Sequence, residues 1–315
     1  MQNMGSNCRI DVLLSTHNGA RYLADQLKSI FRQDIGDWRL IIRDDSSSDN
    51  TLQIVERFRA LDPTRITVLG GPGRRLGVAK SYEYLLRNSS SPYVAFCDQD
   101  DVWFPEKLRL LRARIQRLEE ELGTAMPILV HSDLTVVNEH METVSNSFWR
   151  HQKLDPRKMQ SLARLLVQNC VTGCATLINR ALADFALTIP EDAIMHDWWL
   201  ALHAVAEGRI EVLTQRTVKY RQHEANDTGA KEWELDYVLR NMLQGRKRLR
   251  SGLLKTRRQA QALLESGHLS GNQYDTVSRY VHLYDLGWLG RRLECFRLGF
   301  YKYGFVRNVG LMFIL

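Results

Sequence analysis

The hydrophobic positions along the first hundred residues alternate between two periods, one typical of buried strands and one typical of helices. Short apolar runs predict four strands, over residues 10–14, 38–42, 66–69 and 93–97. Between these runs, apolar residues recur at helical spacing, as in Leu23, Leu27 and Ile30, and predict three helices, the third over about 77–88. This alternation predicts an α/β fold, a mostly parallel sheet with helices on both faces.

The second half of the chain continues the pattern less regularly. We expect a helix over about 105–122, a strand over 128–131, another over 172–178, helices near 180–187 and 197–206, and short strands over 210–213 and 217–220. Beyond about residue 231 the pattern is helical, with basic residues interleaved. We therefore predict an α/β domain over 1–230 and a basic, amphipathic helical extension over 231–315.

Charge and cysteine content add to this division. The chain of 315 residues carries a net charge of +7, and residues 231–315 hold 15 Lys and Arg against 7 Asp and Glu. A basic segment favours an anionic partner, such as a membrane surface. The five cysteines form no CxxC pair, and neither a signal peptide nor a membrane-spanning apolar run is found, so we expect reduced thiols in a cytoplasmic protein. A zinc site on Cys170 and Cys174 is an alternative, although no matching His or Cys pair follows.

The strongest chemical signal is an acidic cluster at the end of the fourth predicted strand. Asp98, Asp100 and Asp101 place three carboxylates within four residues, where they repel one another. A divalent cation relieves that repulsion, and Mg²⁺ or Mn²⁺ is held by one or two carboxylates together with phosphate oxygens. A solvated acidic turn is the alternative, but ligands of such sheets bind at the carboxyl ends of the strands. We therefore predict a cation site here.

Two further polar segments follow the first and second predicted strands. Residues 15–19 form a polar turn suited to gripping a nucleotide, although ordinary turn chemistry explains it equally well. Residues 44–49 contain three aspartates and three serines, whose short side chains can bond a base or a ribose. Ser48 or Asp49 can also cap the next helix, but capping needs only one of these residues.

Four segments, in this order, carry a specific resemblance to a known family. They are LLSTHNGARYLADQLKSIFRQ, IIRDDSSSDNT, GVAKSYEYLL and VAFCDQDDVWFPEKL, and over about residues 8–230 the chain resembles the inverting family 2 glycosyltransferases. VTGCATLINRAL, MHDWWLALHA and YRQH resemble the rhamnosyltransferase-like branch, which builds bacterial surface polysaccharides from dTDP-L-rhamnose. The resemblance implies a GT-A fold, a nucleotide-sugar donor and a Mg²⁺ or Mn²⁺ cofactor. A UDP-hexose donor, or a nucleotide-sugar-binding protein without turnover, is the alternative.

The resemblance also implies roles for residues at the donor site. Family positions that bind or approach the donor match Thr16, Asn18, Asp44, Asp45, Gly77 and Lys80. Asp98 and Asp100 match the DxD motif of the family, with Asp98 facing the ribose or the metal and Asp100 ligating the cation. Asp101 is expected to orient the donor sugar, Arg221 to contact the phosphates, and His223 to contact the metal or the diphosphate.

On the acceptor side, the resemblance places Asp197 at the position of the catalytic base. The alternative role, capping the helix that carries Trp198 and Trp199, is compatible, because the positive helix end keeps a carboxylate ionised. We expect the two tryptophans beside the acceptor sugar, with one of them turned into the core because adjacent helix positions point about 100° apart. Gly173 is expected at the floor of the acceptor site, where a glycine permits close approach.

The C-terminal 30 residues interleave aromatic and basic side chains, a composition typical of helices at a membrane interface. We therefore expect a lipid-linked glycan acceptor and a location of the protein at the inner face of the bacterial plasma membrane. Docking on the α/β domain, or on the second subunit of a homodimer, is the alternative. A nucleotidyltransferase would need a Gly-rich basic loop after the first strand, which is absent, and no motif indicates nucleic-acid binding.

Overall fold

The structure is a computed structural model that describes residues 9–71, 73–224 and 242–315, the side chains of 242–249 excepted. In its first half, four parallel strands alternate with three helices, as the hydrophobic pattern predicts. They are β1 (Ile10–Thr16), α1 (Leu23–Phe31), β2 (Trp38–Asp44), α2 (Thr51–Leu61), β3 (Ile66–Leu69), α3 (Val78–Arg87) and β4 (Tyr93–Cys97). β1 lies between β2 and β4, with Ile10 opposite both Trp38 and Tyr93. The polar residues that follow these three strands therefore meet at one edge of the sheet.

The second half adds further strands and helices, and here the sheet becomes mixed. In chain order these are β5 (Val102–Trp103), α4 (Lys107–Leu122), β6 (Ile128–Val137), β7 (Thr143–Ser145), α5 (Phe148–His151), α6 (Leu162–Val167), β8 (Thr176–Asn179), α7 (Arg180–Phe185), α8 (His196–Glu207) and β9 (Arg209–Arg221). The strand order is β3-β2-β1-β4-β8-β6-β9-β5, with β7 paired to β6. β8 runs antiparallel to both of its neighbours. The α/β fold is confirmed. Strands β1 to β4 form a parallel unit and β6 is parallel to β9, whereas the other strand pairs are antiparallel.

Several element boundaries differ from the sequence prediction. Strand β6 continues to Val137 instead of ending at residue 131, and α7 ends at Phe185 rather than near residue 187. Helix α4 begins at Lys107 rather than at Pro105, and a 3₁₀ turn over Gly173–Ala175 precedes β8, which we predicted to begin at residue 172. The two short strands predicted over 210–213 and 217–220 are one strand, β9. The register of β9 on β6 shifts around Asp133, so the polar residues 214–216 are accommodated as an irregularity within a continuous strand.

The sheet has a hydrophobic core on each face. Along β1, Leu13 belongs to one core cluster, whereas Val12 and Leu14 belong to the other. This separation follows from the period of two, which sends successive side chains to opposite faces. Trp199 of α8 lies in the cluster that contains Leu13.

The predicted extension is helical in its described part. It consists of α9 (Met242–Glu265), α10 (Gly271–Val281), α11 (Trp288–Leu298) and α12 (Phe305–Ile314). Buried residues of these helices and of the turn at Phe300 belong to the same core cluster as Leu13, so the extension packs on one face of the sheet. No helix within the described ranges combines the length and the apolar character needed to cross a bilayer. The boundary predicted at 230/231 lies outside the described residues, as does Cys8.

Candidate active site

The end of β1 is bonded to the end of β2 through three predicted donor-site residues. Thr16 lies opposite Asp44, and its hydroxyl donates to Asp44 Oδ1 at 2.8 Å. The backbone N–H and the hydroxyl of Ser47 also donate to this carboxylate, at 2.8 and 2.6 Å. Asn18, with a φ of 48°, accepts the backbone N–H of Ser48 on its side-chain oxygen at 2.8 Å. The structure thus brings Thr16, Asn18 and Asp44 together and fixes the two loops against each other.

Asp45 joins β2 to the loop that precedes α3. It is 3% exposed, pairs with Arg43 at 2.8 Å, and accepts the backbone N–H groups of Leu76 and Gly77 at 2.6 and 2.7 Å. Burial alone would raise the pKa of Asp45, but these donors together hold it below its ordinary value. Gly77 has a φ of 78°, a conformation that favours glycine. Asp45 therefore stays ionised and positions the loop at Gly77.

Gln99, which the sequence analysis did not single out, connects the acidic cluster to the loop after β1. Its Oε1 accepts the backbone N–H of His17 at 2.9 Å, and its Nε2 donates to the carbonyl of His17 at 3.0 Å. A Cβ at Gly19 would lie 2.2 Å from Gln99 Oε1, so this position requires glycine while Gln99 keeps its place. The central residue of the DxD motif thus has a positioning role that the spacing of the carboxylates does not reveal.

The three carboxylates of the acidic cluster have different surroundings. Asp98 Oδ1 accepts the hydroxyl of Tyr82 at 2.8 Å, and Asp100 Oδ2 lies 2.9 Å from His223 Nε2. Asp101 is fully buried and accepts the backbone N–H of Arg221 at 3.1 Å. The structure therefore brings together His223 and Asp100, as predicted from the sequence, and turns Asp101 inward.

Burial and mutual repulsion act on this cluster. Burial, followed by the charge of Asp100, raises the pKa of Asp98 to about 6, and the same two causes raise the pKa of Asp101 well above its ordinary value. Lys107, which the sequence analysis missed, is fully buried nearby, with Nζ 3.2 Å from the centroid of the Trp103 ring. Burial lowers the pKa of Lys107 to about 8, and the charges of Asp101 and Asp98 oppose that effect. Its ammonium therefore compensates only part of the negative charge.

The donor atoms of the cluster are compatible with Mg²⁺ or Mn²⁺. Single ligand atoms of Asp98, Asp101 and Cys174 lie within 4.8 Å of one another. Burial and the charges of Asp101 and Asp98 raise the pKa of Cys174 well above its ordinary value, which favours the thiol over the thiolate. The remaining oxygen donors, with the imidazole of His223, suit a hard divalent cation better than zinc. Burial is the larger cause of the raised pKa values of Asp98 and Asp101, and the charge of Asp100 adds to it; a bound cation would neutralise that charge.

Arg221, which we predicted to contact the donor phosphates, is engaged by groups of the protein. It is 3% exposed, and its Nε donates to the carbonyl of Asp100 at 2.8 Å. Its other guanidinium nitrogens donate to the carbonyl of Glu139 at 3.0 Å and to Asp25 Oδ2 at 3.3 Å. The planar guanidinium of Arg221 thus bonds three separate segments of the chain. Its bond to the carbonyl of Asp100 holds the backbone of the acidic cluster in place.

Lys80 is also engaged away from the predicted donor contacts. Its Nζ pairs with Glu83 at 2.7 Å and donates to the carbonyl of Ile189. These bonds join α3 to the segment between α7 and α8. We predicted that Lys80 contacts the donor, whereas in the structure its ammonium bonds these two protein groups.

Asp197 lies in the first turn of α8 and is partly accessible to solvent. Its Oδ2 accepts the backbone N–H of Gly173 at 2.9 Å, and its Oδ1 accepts Asn169 Nδ2 at 3.3 Å. Burial raises the pKa of Asp197 to about 7, with the charge of Asp98 adding to the rise and the Gly173 N–H opposing it. A carboxylate poised near neutral pH can accept a proton from a bound hydroxyl.

Tyr82 links this carboxylate to the acidic cluster. Its hydroxyl bonds Asp98, and its ring lies 3.9 Å, centroid to centroid, from the ring of His196, the residue before Asp197. His196 is 3% exposed, and burial lowers its pKa to about 3, so the imidazole is neutral. The acidic cluster and the first residue of α8 therefore contact the same side chain, that of Tyr82.

Gly173 allows α8 to approach β8. A Cβ at Gly173 would lie 2.7 Å from His196 Nε2 and 3.5 Å from Asp197 Cβ. The close approach that we predicted at this glycine is thus made by α8 itself. No side chain larger than hydrogen fits without moving the start of the helix.

The two tryptophans of α8 have separate environments. Trp199 is 2% exposed and belongs to the core, so it is the tryptophan of the pair that is turned inward, as we expected of one of them, and it does not line the acceptor side. Trp198 is partly buried, and its indole N–H donates to the carbonyl of Leu165 at 2.7 Å. The angular offset of adjacent helix positions accounts for the difference.

A family model described as Glycosyl transferase family 2 matches residues 11–185. The dTDP-rhamnosyl transferase RfbG of Shigella flexneri is 28% identical over 228 residues, covering 69% of this chain and 74% of that protein. The UDP-Glc:alpha-D-GlcNAc-diphosphoundecaprenol beta-1,3-glucosyltransferase WfgD of Escherichia coli is 23% identical over 233 residues, covering 72% and 82%.

Among solved structures, the mannosyltransferase PcManGT from Pyrobaculum calidifontis, in complex with GDP-Man and Mn²⁺, has a similar fold. The TM-score is 0.56 at 14% sequence identity, over 98% of this chain and 79% of that chain. This likeness supports the GT-A fold and no more.

Proposed function

The chain belongs to glycosyl transferase family 2, and from this premise we propose that it transfers L-rhamnose from dTDP-L-rhamnose to a hydroxyl of a growing, lipid-linked surface polysaccharide. One observation carries the proposal. Asp197, a carboxylate with a pKa near 7, is connected through His196 and Tyr82 to the acidic cluster at the carboxyl end of β4. Asp197 suits the acceptor proton, and the acidic cluster, with a divalent cation, suits the donor diphosphate.

The nucleotide would bind at the loops after β1 and β2. Thr16, Asn18 and Asp44 lie in one hydrogen-bonded group, and Asp45 fixes the adjoining loop at Gly77. Their side-chain oxygens are the acceptors that a pyrimidine imide or a ribose hydroxyl requires. The bonds that these residues already make preorganise the site, so that less conformational entropy is lost on binding.

Asp98, Asp100 and His223 are the residues that would hold Mg²⁺ or Mn²⁺. Asp101, which we expected to orient the donor sugar, is fully buried behind them and bonds the backbone of Arg221 instead. When bound, the cation would stabilise the negative charge of the leaving diphosphate. Arg221 and Gln99 would keep the carboxylates in position, since each bonds the backbone of a neighbouring segment. The use of Mn²⁺ by a protein of similar fold supports this assignment.

Asp197 would act as the general base of a single displacement. The acceptor hydroxyl gives its proton to Asp197 while its oxygen forms a bond to the anomeric carbon of the donor. The bond from that carbon to the diphosphate oxygen breaks, and the nucleoside diphosphate leaves with the electron pair, which inverts the anomeric centre. The bonds from Gly173 and Asn169 orient the carboxylate for this transfer.

The donor sugar is the finer part of the proposal. The relative named as a dTDP-rhamnosyl transferase supports rhamnose, whereas the relative named as a UDP-glucose-dependent enzyme supports a UDP-hexose as the second candidate. A thermal-shift screen of dTDP-L-rhamnose, UDP-glucose and UDP-GlcNAc with Mn²⁺ tests the choice, because a ligand of the folded state raises its melting temperature. The proposal predicts the largest shift with dTDP-L-rhamnose; no shift with any nucleotide sugar would contradict it.

We further propose that the protein acts at the inner face of the plasma membrane, through one face of α11. Leu289, Leu293 and Phe296 recur there at helical spacing and are 61%, 61% and 79% exposed. The exposed Arg297 follows Phe296 in the chain and suits anionic headgroups. Sedimentation with vesicles containing anionic lipid should therefore be weakened by Leu293→Ser and by Phe296→Ser. Undiminished binding of both variants would contradict a membrane contact at this face.

A further inference from the structure

A second apolar feature of the extension is a groove between α11 and α12. It encloses about 640 Å³ and is lined by Trp288, Arg292, Phe305, Asn308, Val309, Met312 and Phe313. Four of its lining residues are more than half exposed, with Trp288 at 67% and Phe305 at 83%. Contiguous exposed apolar surface of this kind marks a binding site more often than ordinary surface.

Arg292 holds the two walls of the groove together. Its NH1 donates to the carbonyl of Trp288 at 2.7 Å, and its NH2 donates to the carbonyl of Met312 at 2.6 Å. The guanidinium carbon also lies 3.9 Å from the centroid of the Trp288 ring. The groove is therefore a preformed feature with a fixed positive charge in its wall, which suits an apolar chain that carries an anionic group.

One end of the groove leads to the proposed catalytic base through a series of hydrogen bonds. Asn308 accepts the backbone N–H of Lys302 on Oδ1 at 2.8 Å and donates to its carbonyl at 2.7 Å. The next residue, Tyr303, donates its backbone N–H to Gln168 Oε1 at 2.8 Å. Gln168 precedes Asn169, which bonds Asp197. The segment around Lys302 thus lies between the groove and the acceptor side of the site.

Lys302, whose backbone bonds Asn308 of the groove, carries the cation of this segment. Its side chain is partly buried, and no acceptor for its ammonium is found among the described residues. Arg307 stands close enough to add a second positive charge, while its own guanidinium donates to the carbonyls of Lys153 and Tyr303 at 2.9 and 3.1 Å. A partly buried ammonium without a carboxylate partner favours a phosphate or another anion.

We propose that the groove between α11 and α12 binds the hydrocarbon chain of the acceptor lipid and that Lys302 binds the phosphate at its head, which places the sugar hydroxyl at Asp197. This inference rests on the proposed function and adds a site for the lipid. The groove, Lys302 and Asp197 correspond in order to the tail, the phosphate and the sugar of a lipid-linked sugar phosphate. Capture of the tail in a groove separates this role from the membrane contact proposed for Leu289, Leu293 and Phe296.

Calorimetry with dodecyl phosphate, kept below its micellar concentration, tests the site on the full chain. We expect saturable binding at one molecule per chain, and Phe305→Ser should weaken it about tenfold through lost apolar contact. Lys302→Gln should weaken dodecyl phosphate binding about tenfold through the lost charge–phosphate bond and leave the affinity for dodecyl maltoside unchanged. Phe296→Ser is the matched control, because Phe296 is 79% exposed on the same helix pair and does not line the groove.

Three results would overturn the inference. Equal weakening by Phe296→Ser and Phe305→Ser would mean that the extension binds amphiphiles as a general apolar surface. A doubling of molecular mass that Phe305→Ser abolishes would mean that a second copy of the chain fills the groove. Binding of dodecyl phosphate that Lys302→Gln leaves unchanged would remove the phosphate site.

The same samples separate this inference from the proposed function. A thermal shift with a nucleotide sugar and Mn²⁺ reports the donor site, which contains none of the altered residues. A normal shift without dodecyl phosphate binding would overturn the lipid site and leave the glycosyltransferase proposal standing. Saturable dodecyl phosphate binding without any nucleotide-sugar shift would overturn the proposed function and, with it, the assignment of the bound lipid as an acceptor.

Discussion

Replacement of Asp197 by asparagine should lower activity and raise stability, and the second effect should depend on pH. The pKa of Asp197 is about 7 in the folded chain, against 3.8 for an unperturbed aspartate. Between these values the folded chain binds a proton that the unfolded chain has lost. The folded state of the wild type therefore loses stability as the pH rises from 4 to 7, and the full loss persists above pH 7.

The magnitude follows from the size of the pKa shift. Between pH 5 and pH 8 the wild type passes through about two units of this shift, which is on the order of 3 kcal/mol. Asparagine carries no charge and avoids that loss, although the bond from Asn169 to the second oxygen, at 3.3 Å, would be exchanged for a contact between two amide donors. That exchange costs about 1 kcal/mol at every pH. The advantage of Asp197→Asn over the wild type should therefore grow by a few kcal/mol between pH 5 and pH 8.

Melting temperatures of both proteins at pH 5 and pH 8 measure this effect. Asp192→Asn is the control, because Asp192 is an exposed carboxylate a few residues earlier in the chain. A melting-temperature difference that is the same at both pH values would refute the raised pKa. In parallel, kcat of Asp197→Asn should fall at least about a hundredfold with donor affinity unchanged, and kcat of the wild type should rise with pH through about 7. Full turnover by the variant would show that another group is the base.

Three further substitutions test the donor site and the core. Asp100→Ala should abolish Mn²⁺-dependent donor binding in calorimetry, and His223→Ala should weaken it; unchanged affinity in both would remove the cation assignment. Gly19→Ala places a Cβ 2.2 Å from Gln99 Oε1 and should displace Gln99 from His17, so we expect donor affinity to fall about tenfold while the fold persists. A donor titration with unaltered affinity would show that this bond is dispensable. Trp199→Phe should lower the free energy of unfolding by about 1–2 kcal/mol and leave the KM for acceptor unchanged, since Trp199 is a core residue. A large rise in that KM would restore Trp199 to the acceptor site.

The sequence predicts the first half of the sheet and the edge at which the site lies, because each strand there is a continuous apolar run followed by a polar turn. It does not predict the antiparallel insertion of β8 between β4 and β6, which depends on pairings between residues about 50 to 80 positions apart. The continuity of β9 is equally hidden, since exposed polar residues interrupt its apolar pattern while its backbone stays paired with β6.

At the site, the type of a residue predicts its chemistry better than it predicts where its side chain points. The spacing of Asp98, Asp100 and Asp101 does not reveal which way each side chain points: Asp101 is turned into the interior and Asp100 toward His223. Arg221 and Lys80 have the charge that a diphosphate requires, but the backbone carbonyls around them engage their donors instead. Gln99 and Lys107 were overlooked because an amide and a helix-borne lysine have no distinctive spacing. A buried lysine in particular looks like a surface residue in any sequence.

The enclosure of Lys107 makes this amine a reporter of the state of the whole chain. Its Nζ lies against the Trp103 ring, donates to the carbonyl of Cys174 and has no contact with solvent. An acylating reagent that modifies exposed lysines within minutes would reach Lys107 only after the surrounding strands separate. The rate at which mass spectrometry detects the label on the peptide around residue 107 would then measure how often the native chain opens, and saturation with a nucleotide sugar should slow that rate in proportion to its binding.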